Sequence, residues 1–163
     1  MRAFETFTFH RNLTLDLLNF LREDQLSLAP IAGAGSFGKQ FRHILDMERC
    51  YTDSMVTGSL DFFRTDINHT LENDKYGMIK ALLNEDKRLK SVLSKIPEDE
   101  LYRLNIDCSN VVKYVGEKHR KTSPEIVVSW IMEHELFHDG QLALYIRYLG
   151  MKFPESWMFW GLR

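Results

Sequence analysis

Apolar residues recur at three- and four-residue steps through four long stretches of the chain, and the rhythm breaks into a shorter one only between the last two. Phe9, Leu13, Leu17, Phe20 and Leu21 mark a first helix over residues 8–22. Pro30, Gly33 and Gly35 then make a loop, after which Ser36 can cap a second helix that stops at Gly58. Ile79, Leu82, Leu83, Leu89, Val92, Leu93 and Ile96 mark a third over residues 70–95, closed by Pro97, with Gly77 as a weak point near its start. From 101 to 106 and from 111 to 115 the residues turn β-branched and aromatic around Asp-Cys-Ser-Asn, which predicts a β-hairpin. Ser123, Pro124 and Glu125 are a cap, a first-turn proline and a first-turn acid, so a fourth helix starts there and runs to Leu149, with Gly150 as its stop.

Four helices with one apolar face each must bury those faces against one another. The fold class expected is therefore all-α, a four-helix bundle with a short β-hairpin between helices three and four. A chain of 163 residues, 44% hydrophobic and 12% aromatic, fills one core and is short for two, so residues 1–163 read as a single domain.

The net charge is −2 with acids and bases interleaved, which offers no nucleic acid or anionic membrane a single-sign surface. The one basic run, residues 113–121, reads as a solvated loop. No stretch reaches the roughly 20 apolar residues of a membrane span, and the start lacks the core of a signal peptide, so a cytoplasmic protein is expected. Cys50 and Cys108 read as free thiols in that reducing compartment.

The chemistry stands on the fourth helix, at His134-Glu-Leu-Phe-His138-Asp-Gly-Gln141. At about 100° per residue, His138 lies only ~40° around the helix from His134, and Gln141 ~20° to the other side. Val127, Trp130, Ile131, Leu142 and Tyr145 share that face, so the imidazoles enter an apolar interior where their nitrogens need partners. Two such histidines are as consistent with hydrogen-bonded core residues as with metal ligands, and a third decides. Of His10, His43, His69 and His119, only His43 lies well inside another amphipathic helix. It can join the pair if the second and fourth helices are neighbours.

The segment Gly38-Lys-Gln-Phe-Arg-His43 with Glu48, the segment 134–142, and the order of elements resemble the DinB/YfiT-like superfamily, metal-binding bundle proteins first named for DNA-damage induction in Gram-positive bacteria. The resemblance covers nearly the whole chain. It implies that His43, His134 and His138 are the three ligands of a divalent metal, nickel or zinc. Asp139 departs from the pattern, because many relatives carry a histidine or basic residue there. Gln141 is a candidate for orienting water or substrate, and Glu48 for a supporting or interhelical role. Cys50 stands about 10.5 Å along the helix from His43, too far to share its metal.

His134-Glu135-Leu-Phe-His138 also matches the zinc-protease pattern, with Glu135 as general base. Against that reading, the extended protease form needs glycine and histidine where this chain has Gln141 and Leu144, and a strand-rich subdomain where it has a bundle.

Three neutral imidazoles leave open positions on an ion, and bound water or thiol is acidified there. Because imidazoles bind metal only when deprotonated, release is expected as pH falls through the range where free histidine protonates, about 6.5 before any shift. The resemblance implies thiol transfer to electrophiles, hydrolysis or thiol-dependent isomerisation. The reading taken forward is a metal-dependent transferase of bacillithiol or a similar small thiol, acting in stress and detoxification, with a homodimer as the expected assembly. The alternatives are a metal-dependent hydrolase and a stress-response metal protein without turnover; no catalytic side chain is assigned. The tail Phe153, Trp157, Met158, Phe159, Trp160 is expected to close the bundle, roof the pocket or build the dimer.

Overall fold

Helix α1 (Arg2–Phe20) starts before residue 8, because Phe4 and the buried Phe7 extend its apolar stripe toward the N-terminus. The computed structural model describes residues 2–63, 66–103 and 105–162, with side chains from Phe4 onward. Helix α2 (Phe37–Thr57) has the predicted limits. The Ser36 hydroxyl accepts a hydrogen bond from Lys39 N–H, and Gly58 ends the helix at φ 77°, a conformation that costs a side chain strain.

Helix α3 (Lys75–Leu93) begins later than the apolar period suggests. A short turn at His69–Asn73 precedes it, and Asp74 caps it by accepting from Gly77 N–H at 2.8 Å. That turn presses on α2 so closely that a Cβ on Gly38 would stand 1.8 Å from the Glu72 carbonyl oxygen. Only glycine fits there.

The hairpin is where prediction and structure part. Strand β1 (Ile106–Asp107) pairs antiparallel with β2 (Lys121–Thr122), and residues 111–115 form a turn and the one-turn helix α4 (Val112–Val115) instead of a strand. Val111 is fully buried as a core residue, and the pairing partner lies farther along the chain, where Cys108 N–H donates to the Arg120 carbonyl. Helix α5 (Pro124–Tyr148) follows. Pro124 opens it as expected, but the Ser123 hydroxyl makes no capping hydrogen bond.

Each long helix touches two neighbours: α1 packs on α3 and α5, and α2 packs on the same pair. The bundle order is therefore α1, α3, α2, α5, which makes α2 and α5 neighbours. Two apolar clusters fill it. One gathers Leu17, Phe41, Leu45, Leu82, Leu142 and Trp157; the other gathers Phe7, Met55, Leu89, Val111, Val127 and Ile131. On every helix polar residues stand at or near the junction of these contributions: Arg11 and Thr14, His43 and Glu48, Glu85 and Asp86, and His134, Glu135, His138 and Asp139. The bundle has a polar middle layer between two oily ends, and the site lies in it.

The tail closes the first cluster. Trp157, fully buried in the turn Glu155–Trp160, donates its indole N–H to the Leu13 carbonyl at 2.8 Å.

Candidate metal centre

His43 stands on α2 and His134 and His138 on α5, and their nitrogens lie within 4.8 Å of one another. Nε2 of His134 is 3.2 Å from Nε2 of His43 and 3.2 Å from Nε2 of His138. Ligand nitrogens at about 2.0–2.1 Å from a tetrahedral ion stand about 3.3 Å apart, so the spacing fits a shared cation. The three-histidine group could hold a metal ion.

Neighbouring side chains determine which nitrogen of His138 faces that point. Its Nδ1 lies 2.7 Å from Gln40 Oε1 and 2.9 Å from Gln141 Oε1. The Gln40 amide is itself oriented, because its Nε2 donates to the Ala34 carbonyl at 2.5 Å and reaches Tyr145 Oη at 3.4 Å, while Tyr145 donates to the Gly35 carbonyl. With amide oxygens on Nδ1, that nitrogen carries the proton, and Nε2 presents its lone pair inward. Gln141, offered by the sequence for orienting water or substrate, here contacts a candidate ligand. Gln40 was missed, although it stands one helical turn before His43.

Burial holds these rings neutral. It is the main cause pushing His134 down to about 3, helped by His138 and His43, and His138 down to about 4, helped by His43. His43 is lowered too, by burial and then by Arg42 and Lys39. With that shift, the pH range expected for metal release lies below the ordinary histidine value.

Glu48 does not reach the imidazoles. It is buried against the Arg11 guanidinium, which also meets Asp86 at 3.1 Å and Glu135 at 3.4 Å. Glu135 and Asp139 are both within reach of the Thr14 hydroxyl, at 2.5 Å and 3.0 Å. One hydroxyl proton cannot serve two carboxylates, and one guanidinium cannot balance four; some of these acids must be protonated. Burial accordingly raises Glu48 and Asp139 well above the usual carboxylate range, and Glu135 above it. Glu135 is committed to this interior, 1% exposed, and is not aimed at the imidazole cluster as a protease base would be. Cys50 is buried and outside the three-histidine group.

Beside His134 a cavity of about 510 Å³ opens, lined by Tyr51, Tyr114, Lys118, His119, Trp130, Glu133 and Phe137 among others. Tyr51 lies 6.5 Å from the His134 ring and 6.3 Å from Trp130, so an aromatic wall leads outward from the imidazoles. Lys118 and His119 belong to the basic run read from sequence as a solvated loop.

Fold and site together define a helical bundle with a polar middle layer and an open three-imidazole cluster. The chain belongs to the DinB family, whose model matches residues 2–157. An uncharacterized protein of Bacillus subtilis (strain 168), YjoA, is 26% identical over 144 residues, which are 88% of this chain and 86% of that one. The crystal structure of this DinB-like protein YjoA is similar in fold, with a TM-score of 0.70 at 22% identity, over 93% of this chain and 94% of the other. Among the described residues no helix is long and apolar enough to cross a membrane.

Proposed function

We propose that His43, His134 and His138 hold a divalent transition metal, zinc or nickel, and that the site transfers a small thiol to an electrophile. The observation that carries this reading is the convergence of imidazole nitrogens from two helices with one side open on a cavity. All-imidazole donors suit zinc, nickel, copper or iron better than magnesium or calcium. When bound, the ion lowers the pKa of a water or thiol that joins it, supplying a nucleophile near neutral pH.

The protein's own residues do the rest. Gln40 and Gln141 fix the orientation of His138, while Tyr51, Trp130 and Phe137 line the way to His134 with apolar surface. In the transfer, the thiol loses its proton to solvent, sulfur forms a bond to the electrophilic carbon, and the leaving group departs with the electrons of the broken bond. Detoxification of electrophiles under stress is the purpose that fits. The reading includes a homodimer, for which the exposed Phe9, Met158 and Phe159 offer an apolar patch; molar mass in solution tests it.

The test is consumption of chlorodinitrobenzene by the zinc- or nickel-loaded protein with and without a small thiol. Thiol-dependent turnover that disappears in His138→Ala supports transfer. Ester cleavage without thiol would replace it with hydrolysis, and inertness in both assays would leave a metal protein without turnover.

A further inference from the structure

The cavity beside His134 carries two exposed, opposite charges that no described residue pairs. Lys118 lines it from the turn before β2 and Glu133 from α5, and neither forms an ion pair or hydrogen bond with a described residue. Their neighbours are already matched. Glu117 and Arg120 pair with each other at 2.8 Å, and Lys113 lies over the Tyr114 ring at 4.8 Å. The rings of Trp130 and Tyr51 line the same cavity, with His119 edge-on to Trp130 at 5.4 Å.

A simple anion would answer Lys118 and be repelled by Glu133, and a simple cation the reverse. A ligand with both an ammonium and a carboxylate answers both, and an apolar substituent suits the aromatic wall. We propose that this cavity binds the amino-acid head group of a cysteine-type thiol and of its thioether conjugate. Lys118 receives the carboxylate, Glu133 the ammonium, and Trp130 with Tyr51 the carbon body. The proposal rests on the thiol-transfer reading for its sulfur, and Lys118 and Glu133 act in it as specificity residues.

Calorimetric titration with S-benzylcysteine tests it, because a thioether has no acidic S–H and needs no turnover. Two comparators remove one charge each: benzylthioethylamine lacks the carboxylate and benzylthiopropionate lacks the ammonium. The protein as purified should bind the complete amino acid about threefold to fivefold more tightly than either comparator, the size of partly exposed ion pairs. Lys118→Met should abolish the advantage over benzylthioethylamine alone, and Glu133→Gln the advantage over benzylthiopropionate alone. Trp130→Ala should weaken all three. Equal affinities for the three compounds, or variants that fail to discriminate among them, would overturn the proposal. Selective binding without any thiol turnover would keep the head-group site and discard the transfer reading.

Discussion

His138 donates its Nδ1–H to Gln40 across the α2–α5 interface, and this one hydrogen bond, at 2.7 Å, turns Nε2 toward His134 and His43. Gln141 reaches the same nitrogen at 2.9 Å, so the ring is held from both helices. Removing such a partner typically lowers metal affinity by about 10–100-fold. Gln40→Leu should weaken metal binding toward the lower end, about tenfold, because Gln141 remains. The double variant with Gln141→Leu should weaken it further. Competition with a chromophoric chelator measures both, and unchanged affinity in the double variant would show that neither amide orients the ring.

Acidification tests the burial of the imidazoles. His134 and His138 are pushed from 6.5 down to about 3 and about 4, so in the folded protein protons compete with metal only near those values. A depressed folded pKa contributes stability that is present above 6.5 and lost as pH falls toward the folded value. Glu48 and Asp139 act in the opposite sense, since their raised values give stability at low pH that is lost as pH rises. Bound metal should therefore persist at about pH 5.5 and leave only as pH approaches the folded values. Half-release near 6.5 from protein that is still folded by circular dichroism would contradict this.

Among the described residues, Arg11 is the cation that meets Glu48, Asp86 and Glu135 in the buried middle layer. Breaking a buried pair by removing one partner usually costs about 3–5 kcal/mol. Arg11→Met should destabilise by that order in urea unfolding, although the protonation of neighbouring acids will absorb part of it. Equal stability of variant and parent would mean the carboxyls are already neutral without the guanidinium.

Glu135 separates the protease-like pattern from its chemistry. Its carboxyl faces Arg11 and Thr14, so Glu135→Gln should keep the metal content of the parent and any thiol-dependent activity. A collapse of activity by orders of magnitude in a folded, metal-loaded Glu135→Gln protein would restore the general-base role.

Trp157 is fully buried and tied to Leu13, and it lines the opposite side of α5 from the imidazoles, beside Leu136, Gly140 and Ala143. Trp157→Ala should cost about 3–5 kcal/mol of stability, in line with large aromatic truncations. Metal content should not change. Loss of metal from a variant that remains folded would place the tail in the site after all.

How much could be read from sequence follows from which forces are local. Ser36 and Gly58 fix the ends of α2 through their own side chain and backbone freedom, and both positions were legible. His43, His134 and His138 were legible because helical spacing orients side chains; that α2 and α5 are neighbours came from the structure. The hairpin was misplaced because residues 111–115 have strand-like composition while the partner of β1 is chosen by packing farther along the chain. Arg11 was overlooked in the apolar stretch from Phe7 to Leu18, where a lone cation signals a buried counter-charge only once its partners on three other helices are known. Lys118 and His119 read as solvent-facing, and Lys118 is exposed; that both also line a cavity is set by packing that nothing local to them reports.

The central claim is that three imidazoles from two helices bind one metal ion, and elemental analysis of protein carrying no histidine tag tests it most directly. A transition metal should be present in the parent and strongly reduced in each of His43→Ala, His134→Ala and His138→Ala. Full metal occupancy in folded His43→Ala would contradict the three-ligand site.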